Sequence, residues 1–245
     1  MAAAFLVGIN AVSEALQHDP AALDELFVDA RVRNPRLAAL VQRARELGLA
    51  VQPVAAEQLS RLAGHARHQG VAARMKPARN HGEGDLDALL ERSERPLLLI
   101  LDGVQDPHNL GACLRSAEAA GVDAVIVPRD RAVGVTATVR KVASGAADRV
   151  PLIRVTNLAR TMKVLKAAGI WIVGLDGRAE QSIHASDLTG PLAIAMGGEA
   201  EGLRRLTREH CDFLARIPMR GRVESLNVSV ATGVALFEAV RQRGA

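Results

Sequence analysis

The stretch 101–121 crowds Asp102, Asp106, His108, Asn109 and Arg115 around one point, where an apolar run (96–101) ends, the chain turns at Pro107 and a helix begins. In open α/β sheets ligands bind outside the carboxyl ends of the strands. Acids, an amide and an arginine gathered at such an end therefore predict a binding or catalytic site. Asp102, Asp106 and His108 carry oxygen and nitrogen donors of the kind a divalent metal takes. Their spacing is that of a single turn, and no second His/Asp cluster completes a coordination shell. Asp102 and Asp106 are expected to build the turn, and no metal is expected.

A second cluster, Met196-Gly197-Gly198-Glu199-Ala200-Glu201-Gly202-Leu203, also lies between a strand and a helix. Its glycine spacing matches neither the dinucleotide fingerprint nor the P-loop. Glu199 and Glu201 would repel the phosphate that a helix N-terminus otherwise attracts. Such a turn suits a ligand that approaches the backbone closely, lacks phosphate and carries positive charge. Taken alone, it reads more simply as a tight turn whose acids complement the helix dipole.

The third cluster runs from Ile217-Pro218-Met219 through Arg220 and Arg222 into a helix with apolar Leu226, Val230, Val234 and Phe237. Its early turns hold Asn227, Ser229, Thr232 and Gly233, all poor helix formers. Local propensity given up in one place points to function: Ser225 and Asn227 are expected to face a ligand while the small residues pack on another helix. Arg204, Arg205 and Arg208 form a basic helical face, ordinarily solvated surface, but beside the second cluster they are placed to meet phosphates. Cys113, set among alanine and leucine, does not read as a reactive thiolate. Cys113 and Cys211 have neither zinc nor disulfide spacing and are expected to be reduced and buried. His65, His68 and His81 lie in polar surroundings and read as solvated.

The elements that must position these clusters alternate along the chain. Residues 1–76 mix short apolar runs (5–9, 26–28, 49–51, 71–73) with helical periodicity (11–17, 35–47, 55–62), a small α/β domain. Residues 77–95 begin with Pro and Gly and turn acidic, which reads as a linker leading into a short helix near 86–92. Residues 96–245 show strands at 97–101, 124–127, 150–153, 170–175, 192–196 and 213–217. Helices are predicted at 110–120, 136–144, 158–168, 203–210 and 225–241. Strands this apolar predict a mostly parallel sheet covered on both faces.

Composition narrows the function classes. Of 245 residues 49% are hydrophobic, yet no stretch approaches the ~20 apolar residues that span a bilayer. The first residues lack the basic region of a signal peptide, so a cytoplasmic location is expected. The chain has 31 Lys+Arg against 27 Asp+Glu, and its only lysines are Lys76, Lys141, Lys163 and Lys166. Arginine's planar donor fork suits phosphate, which permits a nucleic acid partner. With no tyrosine and 2% aromatic residues, no base-stacking platform is expected.

In order, the three clusters resemble the motifs of the SpoU family of RNA ribose 2′-O-methyltransferases, of the SPOUT class. The first motif is carried by Asp106-Pro107, Asn109, Gly111 and Arg115-Ser116-Ala117. Gly198-Glu199 and Gly202-Leu203 carry the second, with Ala200 where the family often has glycine. Ile217-Pro218-Met219 and Glu224-Ser225-Leu226-Asn227-Val228-Ser229-Val230-Ala231 carry the third. Stretches at 8–12, 68–71, 150–160 and 206–211 extend the likeness toward members that methylate a guanosine in the peptidyl-transferase loop of 23S ribosomal RNA. The resemblance implies an α/β fold with a trefoil-knotted, mostly parallel C-terminal sheet, an N-terminal RNA-binding domain, a homodimer, and S-adenosylmethionine as methyl donor. It places Asn109, Arg115, Glu199, Ser225 and Asn227 in catalysis, and Gly174, Leu175, Met196, Gly197, Gly198, Ile217, Met219 and Leu226 around the donor. The implied partner is 23S ribosomal RNA or a ribosomal precursor, with no membrane. Two other readings are a SpoU-type enzyme acting on transfer RNA and a non-catalytic RNA-binding assembly factor.

Overall fold

Alternating apolar runs and helical stretches fold the first part of the chain into a mixed sheet under three helices. This computed structural model describes residues 5–18, 20–31, 33–64, 68–76, 81–199 and 201–244; His65, Ala200 and the first residues of the expected linker (77–80) lie outside them. Strands β1 (Phe5–Val7), β2 (Leu23–Asp29), β3 (Ala50–Val54) and β4 (Val71–Met75) pair in the order β1-β4-β2-β3. β4 runs antiparallel to both neighbours and β2 parallel to β3. Helices α1 (Ile9–His18), α2 (Pro35–Glu46) and α3 (Ala56–Leu62) lie between them. Asn34 starts α2 by accepting the Arg36 backbone N–H at 2.9 Å with Pro35 at the first helical position, a local stop-and-start signal. Val12, Leu16, Leu26, Leu37 and Leu40 fill the core.

The chain forms two compact units, Met1–Ala78 and Arg79–Ala245. The second begins with α4 (Leu86–Leu90), followed by β5 (Leu97–Asp102), α5 (Pro107–Ala119), β6 (Ala124–Pro128), α6 (Ala137–Ala143), α7 (Ala146–Arg149) and β7 (Leu152–Val155). It continues with α8 (Leu158–Ala167), β8 (Trp171–Leu175), β9 (Leu192–Gly197), α9 (Arg205–His210), β10 (Phe213–Ala215) and α10 (Val228–Gln242). The six strands are all parallel, in the order β10-β8-β9-β5-β6-β7. Every residue of β5 is buried, and its side chains divide by the period of two. Leu97, Leu99 and Leu101 join Leu110 and Leu114 of α5 and Leu236 of α10. Leu98 and Ile100 join Leu86 and Leu89 of α4 and Met162 of α8 on the other face. Burying each such leucine contributes about 1.5–3 kcal/mol, which holds the two helical layers to the sheet.

The acidic stretch expected to link the units packs, from His81 onward, into the second one. His81 forms a parallel bridge with Ile153, and Glu83 accepts the Thr156 backbone N–H and, at 2.9 Å, the Thr156 hydroxyl. Those bonds, the backbone one foremost, hold the Glu83 carboxyl below its ordinary range. The polar composition hid two apolar anchors three residues apart, Leu86 and Leu89, which close one core. A second difference concerns the last helix, expected over 225–241. It begins at Val228 because the Asn227 side chain accepts the Ser229 backbone N–H at 2.9 Å and caps it, leaving Ser225 in the preceding loop.

Candidate active site

The chain runs β5, β6, β7 toward one edge, and then lays β9, β8 and β10 on the other side of β5. The strand order therefore reverses between β5 and β9, the crevice where open α/β sheets bind ligands. All three chemical clusters meet there. Asp102 ends β5 opposite Gly197, and Gly198 donates its backbone N–H to the Asp102 carbonyl at 3.0 Å. Past that point Asp106 accepts the His108 backbone N–H at 2.9 Å and, with Pro107, starts α5. Asp106 is thus a turn-builder, and the cap fixes Asn109 in the first helical turn, 8% exposed.

Asn109 donates its amide to Glu199 Oε1 at 2.7 Å and accepts the Asn227 amide on Oδ1 at 3.0 Å. Asn227 in turn accepts the Ser229 N–H at 2.9 Å and its hydroxyl at 2.7 Å. The direction of this relay is set by its ends. An ionised carboxylate only accepts, so Asn109 turns its NH₂ to Glu199 and its oxygen to Asn227. The N-terminal N–H groups of α10 only donate, so Asn227 turns its oxygen to them. One carboxylate and two amides, one from each cluster, are thereby locked into a single orientation.

Asp102 departs from the turn-building role expected of it. It is 1% exposed and accepts the Arg204 backbone N–H at 3.1 Å and Arg204 Nε at 2.6 Å, with Nη2 of the same arginine completing the pair. A carboxylate this buried needs a charged partner, and Arg204 comes from the far side of the glycine turn, so the ion pair pins that turn to the end of β5. The turn itself closes on backbone: a Cβ on Gly197 would stand 1.9 Å from the Gly202 carbonyl carbon, and one on Gly198 would stand 2.6 Å from the Gly103 oxygen. These glycines serve a close approach of the chain to itself. Gly174 does likewise, its open side filled by Cys211 and Leu214.

Because β10, β8 and β9 are neighbours, the residues at their carboxyl ends come together. Met196 is buried; Leu175, Ile217, Met219 and Leu226 are half-buried, and Leu175 and Ile217 pack on the core that holds Met196. The rim of Leu175, Met196 and Ile217 beside an acidic turn can seat a ligand with an apolar body and no phosphate; Met219 and Leu226 lie on the loop that follows β10.

The structure does not bring every expected residue into the relay. Arg115 is exposed on α5, a turn and a half beyond Asn109, and has no side-chain hydrogen bond or ion pair among the described residues. Ser225 is an exposed loop residue, close to Asn227 in sequence but not bonded to it. Cys113 is buried, and burial pushes its thiol up to about 11, which removes it as a nucleophile. Among the described residues no group of three or more His, Cys, Asp or Glu is placed to hold a metal ion. Also among them, no helix is long and apolar enough to cross a membrane. Sequence reasoning missed the Asp102–Arg204 pair, since nothing local marks two residues 102 positions apart as partners.

Fold and site together define an open-sheet α/β protein with a polar relay and an apolar rim at its topological switch point. A family model described as the SpoU rRNA methylase family matches residues 96–237, and one described as RNA 2′-O ribose methyltransferase substrate binding matches residues 5–81. The chain belongs to the SpoU rRNA methylase family. It is 58% identical over 238 residues to the 23S rRNA (guanosine-2′-O-)-methyltransferase RlmB of Photobacterium profundum, covering 97% of both chains. Among solved structures, the SpoU methyltransferase AviRb of Streptomyces viridochromogenes, in complex with the cofactor AdoMet, superposes with a TM-score of 0.73 at 28% identity, over 98% of this chain and 90% of that one. The TrmH/SpoU tRNA modifying enzyme of A. aeolicus matches 66% of this chain and 83% of its own, with a TM-score of 0.56 at 31% identity.

Proposed function

We propose that this chain transfers the methyl group of S-adenosylmethionine to the ribose 2′-hydroxyl of a guanosine in 23S ribosomal RNA, in the peptidyl-transferase loop. The observation that carries the reading is the Asn227–Asn109–Glu199 relay, which unites the three family motifs at the switch point. The end-to-end likeness to RlmB supports the RNA substrate; the tRNA modifying enzyme matches a smaller part of this chain, which favours the ribosomal reading over transfer RNA.

The residues present fit the donor. Leu175, Met196, Ile217, Met219 and Leu226 offer an apolar seat, Gly174, Gly197 and Gly198 offer backbone alone, and Glu199 and Glu201 suit a positive group and repel a phosphate. When bound, S-adenosylmethionine supplies an electrophilic methyl group on a sulfonium. A ribose hydroxyl is a weak nucleophile, so the chain must align it and help with its proton. A guanidinium holds its proton too tightly to serve as a neutral base in water. We therefore assign Arg115 to the substrate phosphate and the developing alkoxide rather than to a neutral base. Asn109, held between Glu199 and Asn227, presents a fixed amide edge to the site, and Ser225 lies in the loop that leads into Asn227.

Residues 1–76 are assigned to RNA binding and 96–245 to methyl transfer. Residues 1–80 carry 10 Lys+Arg against 7 Asp+Glu, so binding is expected to weaken with salt and to read shape and phosphates. A homodimer is supported by Val230 and Phe237, 52% and 49% exposed on the outer side of α10. A trefoil knot of the C-terminal segment is assigned from the family resemblance; α10, which follows the edge strand β10, packs against α5 and β9. The cytoplasm, where ribosomal RNA is modified, is the assigned location. The test is to incubate the protein with 23S ribosomal RNA, its precursor particles or transfer RNA and labelled donor, and to map 2′-O-methyl groups by mass. One methyl on a 23S guanosine is expected; methylation of transfer RNA, or none, overturns the reading.

A further inference from the structure

Two clefts of the second unit meet at Arg131 and Arg204. The first, about 390 Å³, holds Glu199 and Glu201 and reaches the relay; the second, about 460 Å³, lies past the ends of β6 and β7 and holds Asp130 and Arg205. Both are of ligand-cleft size, and together they form a groove with a charge gradient. At the relay end the acids prevail: of the two arginines that line this cleft, Arg204 is neutralised by buried Asp102, which leaves Glu199 and Glu201 against Arg131 alone. At the far end Arg131 and Arg205 share the lining with one acid, Asp130, while Arg205 also pairs with Glu209 at 2.6 Å on open surface, a contact weak enough to exchange.

Arg131 is the central group. It is exposed and has no side-chain hydrogen bond or ion pair among the described residues. Its backbone sits at φ 61°, a left-handed conformation costly for any residue with a Cβ and found where function holds it. Here it is held from both sides: Arg129 donates its N–H to the Val155 carbonyl and accepts from Arg154 Nη2, both at 2.7 Å, and Val133 donates to the Val104 carbonyl at 3.3 Å. The backbone that carries this free guanidinium is thus fixed at the junction of the two clefts, where the donor fork can meet a phosphate oxygen pair.

We propose that Arg131, with Arg205 in the same groove, binds backbone phosphate of the RNA strand next to the nucleotide being methylated. This rests on the methyl-transfer reading above. The acid end receives the target ribose beside the donor, and the strand leaves along the basic end, so the gradient sets which way the RNA lies.

The test compares full-length wild type with Arg131→Ala, Arg131→Lys and, as a second site, Arg205→Gln, all checked for folding by circular dichroism. Binding of a 23S fragment containing the target loop is measured across a salt series. Arg131→Ala is expected to weaken binding at low salt about tenfold, the worth of one charge-assisted contact. It should also reduce the slope of log K against log salt by about 0.7–1. Lysine should restore the slope but only part of the affinity. Unchanged affinity and slope in both Arg131→Ala and Arg205→Gln overturn the proposal. So does a loss seen only on ribosomal particles and not on naked RNA, which would mean a protein partner. If Arg131→Ala does not fold, Arg205→Gln decides alone. The two readings fail separately: wild type that binds the RNA without methylating it refutes the methyl transfer, whereas wild type that methylates while the variants bind unchanged refutes only the groove.

Discussion

Asn109, in the first turn of α5, accepts the side-chain amide of Asn227 at 3.0 Å across 118 positions of chain, while its own amide is held by Glu199 at 2.7 Å. The three residues sit in the first turn of α5, just past β9 and at the cap of α10, so the bond pair reports whether these elements have assembled correctly. A site held in this way depends on geometry more than on affinity.

Replacing Asn109 or Asn227 by alanine removes the middle or one end of that relay. The single-turnover rate of methyl transfer is expected to fall about 100-fold, the usual penalty for a reacting group displaced by an ångström. RNA affinity, measured by filter binding on the same proteins, should change far less. Equal losses in both would mean that the relay serves RNA binding instead.

The Asp102–Arg204 pair makes a stability prediction. Asp102→Ala leaves Arg204 partly buried without its partner and is expected to cost about 3 kcal/mol, as broken buried pairs do. Thermal or urea unfolding checks it. A variant within about 0.5 kcal/mol of wild type would show that the pair contributes nothing net.

At Gly197 an added methyl collides with the backbone of Gly202 and Leu203, so Gly197→Ala must open the turn. We expect a loss of roughly 1–3 kcal/mol and weaker donor binding by calorimetry. Gly177→Ala, where a Cβ meets open space, should stay within about 0.5 kcal/mol of wild type.

Glu238, 7% exposed on α10, is held at a pKa of about 2, chiefly by hydrogen bonds from Arg241 and then Gln242, with His184 also contributing. A depressed folded-state pKa stabilises the fold above the unfolded value, near 4.3, and that contribution is lost as pH falls toward 2. Wild type should therefore lose stability between about pH 5 and pH 2 more steeply than Glu238→Gln. Parallel slopes in acid unfolding curves would remove Glu238 from the account.

Burial raises the thiols of Cys113 and Cys211 to about 11 and about 12. Neither should react with a thiol reagent at pH 8 until the protein is unfolded. Rapid labelling of Cys113 in the native protein, read by mass, would contradict its buried placement; Cys211, expected to be buried as well, is only half-buried.

Much of the fold was legible because both faces of a parallel sheet are buried and its strands read as unbroken apolar runs. The runs at 97–101 and 192–196 became β5 and β9 almost residue for residue. The helices were legible from their periodicity, but α5 starts at Pro107, three residues before the expected 110, because Asp106 caps it. Less visible was the order of folding units around residues 81–95, where acids outnumber the two leucines that anchor the segment. Apolar periodicity that continues through Leu226 predicts α10 from 225, whereas the capping amide of Asn227 sets its start at Val228.

The sequence by itself determined the residue types at the site, the local elements that carry them and, through three ordered motifs, the family. Only the tertiary structure decided that β9 lies beside β5, which brings Glu199 to Asn109, buries Asp102 against Arg204 and sets Arg131 at the junction of two clefts. The reason is physical: periodicity and capping act within a few residues, whereas strand order is chosen by crossovers and by the packing of two helical layers, whose contacts join positions more than 100 residues apart.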